Sequence, residues 1–427
     1  MARPTFHLVT PVWGAQYTKT FVDVTLPSLL APGNIPALSE GGCTYKIFTT
    51  TGDEARIRQS PAFQSLPTNV AVEFRPITKA DDNPYVASSS CYRTATAEAQ
   101  TAGVIIVYLI PDMILADGSL RTIKRFLEQG KRAVMVAGMR VSKETLVPEA
   151  LARFKRGTAI SAPSRPLVEL AIRHLHPIMR QHMYDEDSAG FNPSFFCWKV
   201  PDEGYVVHCA HLHPVAVDLQ GERATLYGTI DDDLLFDLRL RPEELAYADD
   251  SDDLLWFEIS ARDRTIPPVG HRLWEILRWL NGATYPHQRQ YLSRPLRIHC
   301  CGTDSAAWRA TEARAGKVIA TILEAFELEK DRIGKSPADY TLPPPVQIGG
   351  TQFASDPTSA IHGIMNAVGA AAVVDAVIEA LEARARSYLQ RGASRRFGRS
   401  LVKFAAAILI IGAGKSFRAL LRLIKRL

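Results

Sequence analysis

The chain has 427 residues, more than one typical domain, and its 46% hydrophobic and 22% charged content is that of a globular protein with a large core. The net charge of +5 is uneven: residues 391–427 carry ten Lys or Arg and no Asp or Glu, which leaves the remainder at −5. Six cysteines (43, 91, 197, 209, 300 and 301) show no Cys-x-x-Cys spacing, which argues against a zinc ribbon or a redox motif and suits a reducing cytoplasm.

In chain order the pattern alternates. The start, Met-Ala-Arg-Pro-Thr-Phe, leads directly into a strand and lacks the regions of a signal peptide, so no export is expected. Residues 6–14 read as a strand and loop, 17–30 as a helix, 44–49 as a strand, 53–66 as a helix, 69–75 as a strand and 88–102 as a helix. The apolar, β-branched run 104–112 then predicts a buried parallel strand ending at Asp112, with Pro111 turning the chain outward. A helix over 119–129, stopped by Gly130, precedes a fifth strand over 132–137. Five strands separated by helices predict an α/β fold with a mostly parallel, doubly wound sheet. Open sheets of this kind bind ligands beyond the C-terminal strand ends, which makes Asp112 the leading site candidate. No Gly-x-Gly-x-x-Gly or P-loop motif follows the first strand, which argues against a dinucleotide enzyme or a P-loop NTPase.

This succession, with Pro111-Asp112 at the end of the fourth strand, resembles the nucleotide-sugar glycosyltransferases of the GT-A fold over roughly residues 5–260. Trp13-Gly14, residues 26–34, Asp117-Gly118-Ser119 and Gly138-Met-Arg140 also look like a bacterial group of glycosyltransferases. The resemblance implies a Rossmann-like, mostly parallel sheet with helices on both faces, and a hexosyltransferase-like activity. It implies that Asp112 helps hold the sugar nucleotide and a divalent cation, Mn or Mg. The usual motif is Asp-x-Asp, whereas here Asp112 is followed by Met113 and Ile114, and the next carboxylate, Asp117, is a further donor-binding candidate. Thr10, Pro11 and Trp13 stand where such enzymes seat the nucleotide base. Arg93 and Arg140 are candidates for the diphosphate, since an arginine fork contacts phosphate bidentately.

Further along, His211 and His213 lie two apart, and in an extended segment they would share a face able to hold a metal, a phosphate or a sugar hydroxyl. The family resemblance favours His213 as the late histidine at the metal or diphosphate, while His208 is expected to be structural. The run Asp231-Asp232-Asp233 suits a helix N-terminus, or Asp231 or Asp233 could complete a site with Asp112 and His213 or act as general base. Residues 249–253 are expected to be a solvated acidic loop.

Residues 1–265 are expected to form the catalytic domain, and 266–390 a helical region with amphipathic helices over 272–280 and 306–328, a linker at 342–350 and an Ala-rich helix over 354–389. Trp274, Trp279 and Trp308 are expected in its core. Residues 391–427 form a basic tail whose apolar centre, 404–414, is shorter than the ~20 residues of a spanning helix. Cations flanking a short apolar stretch predict attachment to an anionic membrane surface, on its cytoplasmic face, rather than to nucleic acid. The expected function is sugar transfer from a nucleotide sugar to an envelope glycan or lipid-linked acceptor. A metal-dependent hydrolase built on His211-x-His213, and a non-catalytic membrane-associated interaction protein, are the alternatives.

Overall fold

The computed structural model describes residues 5–77, 84–185, 191–221, 230–266, 269–270 and 272–330, with only the backbone of 232, 233, 236 and 237. The chain divides into a compact unit of residues 1–352 and a second of 353–427. The second, which includes the expected Ala-rich helix and the basic tail, lies outside the described residues.

The strands are β1 (Phe6–Pro11), β2 (Cys43–Thr49), β3 (Val70–Pro76), β4 (Ile105–Tyr108), β5 (Met113–Leu115), β6 (Ala133–Val136), β7 (Met139–Ser142), the short pair β8 (Lys155–Arg156) and β9 (Ala159–Ile160), β10 (Phe195–Val200), β11 (Gly204–Cys209), β12 (His213–Val217), β13 (Leu245–Tyr247), β14 (Trp256–Ser260) and β15 (Leu296–His299). Seven form the central sheet in the order β13-β6-β12-β4-β1-β2-β3, all parallel except β12, which runs antiparallel between β6 and β4. Helices cover both faces. The α/β class with a mostly parallel sheet is thus the observed architecture.

Alternation along each strand feeds two cores. Phe6 and Leu8 of β1 and Ile105 and Val107 of β4 pack on one face, while Val9, Ile106 and Tyr108 pack on the other. Two smaller sheets adjoin, β5-β14-β7 and the antiparallel β10-β11-β15. The β15 strand pairs with β11, and the Leu273–Ala283 and Ala306–Glu329 helices share a core with Phe196 and Trp198. The expected boundary at 265/266 is therefore no seam: the described helical segments complete the unit that begins at the N-terminus. Trp308 is fully buried, as its position on the apolar face predicts, and Trp279 is half-buried.

The 104–112 run is not one strand. It leaves the ladder after Tyr108 and re-enters a different sheet at Met113, because Pro111 has no N–H to continue the pairing. The first helix is also composite: Ala15–Thr20, a π-helical turn Phe21–Thr25, then Leu26–Leu29. The following loop docks on the N-terminus of the Ser119–Glu128 helix, where Gly33 approaches Gly118 so closely that a Cβ on Gly33 would lie 2.5 Å from the Gly118 Cα.

Asn34 fastens this junction from a fully buried position. Its Nδ2 donates to Ser28 O (2.9 Å) and Ala116 O (3.1 Å), and its Oδ1 accepts from Leu120 N (3.1 Å). Asn34→Ala would leave three buried backbone groups without these partners and should lower stability by about 2–4 kcal/mol. Urea unfolding checks this; a loss below about 1 kcal/mol would show that the junction is held by packing alone.

Candidate functional site

β1, β4 and β6 end at one edge of the sheet, and antiparallel β12 begins there, with His213 opposite Val136. Asp112 lies just beyond that edge, on the crossing from β4 to β5. The Thr25 hydroxyl spans the crossing, 2.7 Å from Pro111 O and 2.8 Å from Met113 O, and accepts from Met113 N at 3.1 Å. Ile259 N donates to Asp112 O at 2.7 Å. With its peptide held from both sides, Asp112 keeps its carboxyl group buried, the residue only 8% exposed.

The neighbours of Asp112 come from β14, β7 and the segment after β14. Glu258 stands in register with Met113 and Arg140. Arg140 donates to Glu258 and, at 3.0 Å, to Ser260 Oγ. Arg264 lies 3.6 Å from Glu258 and donates to the Tyr85 hydroxyl at 3.3 Å. Burial, then the charge of Glu258, pushes the Asp112 carboxyl up to about 7, with Arg140 and Arg264 opposing. Burial, then the charge of Asp112, raises the Tyr17 phenol as well. Two carboxylates and two guanidiniums thus share one site, and Tyr17 (46% exposed) and Tyr85 (68% exposed) leave ring surface open to solvent beside it.

A second element meets the same edge. His213 Nδ1 lies 2.7 Å from Asp231 Oδ1 and Nε2 lies 3.4 Å from Tyr108 O, with the ring 5.0 Å from that of Trp256. Tyr92, whose hydroxyl donates to Leu109 O, connects the two groups: burial first, then the charges of Asp231 and Asp112, raise its phenol well above the ordinary value. The Asp112, His213 and Asp231 side chains therefore gather around the end of β4.

Other candidates are placed differently. His211 lies in the loop before β12, which starts only at His213, so the alternation rule does not reach back to it; its ring lies 5.4 Å from that of Trp279. His208 Nδ1 donates to Leu292 O (2.6 Å) inside the core, as expected of a structural histidine. Asp117 is half-buried and its oxygens accept from Gly33 N (2.7 Å) and Ser161 Oγ (2.6 Å), which makes it a clamp between loops. Thr10 is fully buried with its hydroxyl 2.9 Å from Tyr45 Oη, Pro11 is buried at the end of β1, and Trp13 is half-buried beyond it. Arg93 is exposed on the Pro84–Ala102 helix. Asp233 lies in the π-helical turn Ile230–Leu234, and its side chain is outside the described residues.

The acidic run 249–253 keeps much of its carboxylate surface in water, as expected, and is also paired with neighbouring elements. His299 Nε2 lies 2.8 Å from Asp250, Arg165 contacts both Asp252 oxygens, Arg125 pairs with Asp253, and Ser251 N donates to Arg297 O. Asp250, Asp252 and His299 lie close enough together to suggest a cation site, but Arg165 and the histidine already partner these carboxylates. At Asp112 the donors are the two hard carboxylates, which suits Mg or Mn, ions that take one or two protein carboxylates and complete their shell with phosphates and water.

Sequence reasoning missed Glu258 and Arg264. A signal existed: Glu258 is the lone charge in the apolar strand Trp256–Ser260.

No protein-family model and no curated protein matches the chain. Among solved structures it is similar to mouse xyloside xylosyltransferase 1 in its apo form, at 14% identity and a TM-score of 0.24 over 35% of this chain and 56% of that one. It is also similar to S. aureus TarS, at 12% identity and a TM-score of 0.27 over 68% of this chain and 42% of that one. The matches thus span about half the length of those two chains, and at such TM-scores the likeness carries no conclusion about activity.

Two expectations follow from the geometry. The folded protein holds a proton on Asp112 that the unfolded chain gives up near about 3.9, so stability is lost as pH rises from there through about 7. Asp112→Asn removes that loss, and its melting temperature relative to wild type should be higher at pH 8 than at pH 5; an equal difference at both would mean Asp112 is ionised throughout. His213→Ala should weaken ligand binding by about 1–3 kcal/mol with little loss of stability, whereas His208→Ala should lower stability with little effect on affinity. Calorimetric titration and melting curves on both variants test this, and matching profiles would remove His213 from the site.

Proposed function

We propose that the protein is a glycosyltransferase that moves a sugar from a nucleotide-sugar donor to a glycan or lipid-linked acceptor. The observation that carries the reading is the buried Asp112, set beside Glu258, Arg140 and Arg264 at the C-terminal edge of a parallel sheet. Ligands of open α/β sheets collect at that edge. A site containing acids and arginines together with exposed aromatic rings suits a ligand that combines phosphate, base and sugar. The sequence resemblance to GT-A enzymes points the same way.

In this reading the donor diphosphate lies among Arg140, Arg264 and the Asp112 pair, and Trp13 and Tyr17 flank the base. Asp112 and Glu258 would hold a divalent cation, Mn or Mg, which when bound supplies positive charge to the departing diphosphate. The two arginines contribute charge of the same sign, already fixed in place before the reaction, the condition under which electrostatic stabilisation is most effective. Asp231 orients His213 through Nδ1, and Nε2 stands at the β4 end, 3.4 Å from Tyr108 O; an imidazole that leaves this long contact can accept the proton of an acceptor hydroxyl. Binding both substrates in one cleft supplies the remaining advantage through proximity.

The acceptor class rests on residues 391–427, whose cations and apolar centre suit an anionic bilayer, with the protein peripheral on its cytoplasmic face. Among the described residues no helix is long and apolar enough to cross a membrane. The alternative of a metal-dependent hydrolase on His211-x-His213 draws less support, because the two rings lie against different tryptophans, Trp279 and Trp256.

A thermal-shift screen of nucleotides and nucleotide sugars, with and without Mn²⁺, should give a rise of several degrees with a matching donor. Asp112→Asn should then abolish release of nucleoside diphosphate. No shift with any nucleotide would favour a non-catalytic interaction protein, and undiminished turnover in the variant would move the site away from the β4 end.

A further inference from the structure

A second cleft, of about 530 Å³, opens on the other flank of β7. That size falls within the ~300–1,000 Å³ of small-ligand sites. Its floor is apolar and buried, formed by Met179, Met183 and Tyr205. Three exposed cations converge on it from three separate elements: Arg180 from the turn Pro177–His182, Lys199 from β10 and Arg262 from the segment after β14. Lys199 stands opposite Tyr205 in the β10–β11 register, and so on the same face. None of the three has an ion-pair partner among the described residues, and no described carboxylate lines the cleft. Glu144 accepts the backbone N–H of Arg262, and Glu149 pairs with Arg173 at the rim.

Three like charges around one concavity repel one another until an anion enters, and arginine forks suit phosphate oxygens. An apolar floor under a cationic rim adds a requirement for an uncharged body attached to the anion. We propose that this cleft binds a phosphate ester, with the phosphate held by Arg180, Lys199 and Arg262 and the ester body on Met179, Met183 and Tyr205. Ser142, which lines the cleft, lies two residues beyond Arg140 on the same face of β7, so the ester site adjoins the Asp112 cluster. Its use as the seat of a phosphate-bearing acceptor rests on the glycosyltransferase reading, whereas phosphate-ester binding stands without it.

Calorimetric titration of the full chain without donor separates the two. The probes are glycerol 3-phosphate as a free ester, soluble dihexanoylphosphatidylglycerol as a lipid headgroup, and glycerol as the uncharged control. Saturable binding of either phosphate probe, but not of glycerol, is expected. The double variant Arg180→Ala/Lys199→Ala should weaken it about a hundredfold, the scale of two charge-assisted contacts. Lys199→Arg should retain it, and Asp112→Asn should leave it unchanged even if it abolishes sugar transfer. Lys317→Ala, which removes an exposed cation elsewhere, should also have no effect. Absence of saturable binding, or equal loss in Lys317→Ala and the double variant, would overturn the proposal, and loss in Asp112→Asn would assign the phosphate to the first site instead.

Discussion

The organisation of the site depends on one hydroxyl. Thr25 closes a π-helical turn in the first helix and contacts the peptides on both sides of Asp112. A π turn widens the helix by one residue, and such turns recur at functional positions. Here the widened turn brings Thr25 to the point where the chain leaves the large sheet and enters the small one. Without that fastening, a carboxyl group whose burial opposes its ionisation would be free to swing toward water.

The charges around Asp112 differ in kind from those elsewhere in the molecule. Lys46, buried in β2, is matched by Glu73 at 2.9 Å and Glu98 at 2.7 Å, and Asp250 is matched by His299. In the first of these, two acids also share two cations, since Arg75 contacts both Glu73 and Glu98, but there the hydrogen bond from Lys46 holds Glu73 below its ordinary value. At Asp112 two acids share two arginines, and one of those acids is displaced toward neutrality by burial and by the other. Buried charge of one sign held against its like is the arrangement that a ligand can relieve, which is why such perturbed groups concentrate at working sites. Asp117 shows the converse: an aspartate in a suggestive position whose two oxygens are fully used in joining loops.

How far the sequence foretold this varies with the range of the interaction. The first three strands were legible because each is a short β-branched run with polar ends, and the helices between them because Gly, Pro and capping residues bound them. Asp112 was legible because Pro111 and the apolar run mark a strand exit, although hydrophobicity could not reveal that Met113–Leu115 changes sheets. The proximity of His213 and Asp231 was foreseeable as a grouping but not as a direct contact. The shared face expected of His211 and His213 rested on a period-2 rule that applies only inside a strand, and the strand begins two residues later. Glu258 was missed because its pairing with Arg140 arises across more than a hundred residues, a separation at which local patterns carry no information, and Arg264 because it enters the site only through Glu258.

The antiparallel β12 has a consequence for how the chain is made. β6 reaches the central sheet only through β12, and β4 has β12 as its second neighbour. During synthesis, strands β1 to β4 can assemble first, but the outer side of β4, with its run of Ile105, Ile106, Val107 and Tyr108, stays unpaired until residue 217 has emerged. An apolar strand with an open edge is a template for pairing with other chains. The nascent protein therefore passes through an aggregation-prone interval, and its yield should depend on the rate of elongation and on chaperone capture across the stretch between β4 and β12.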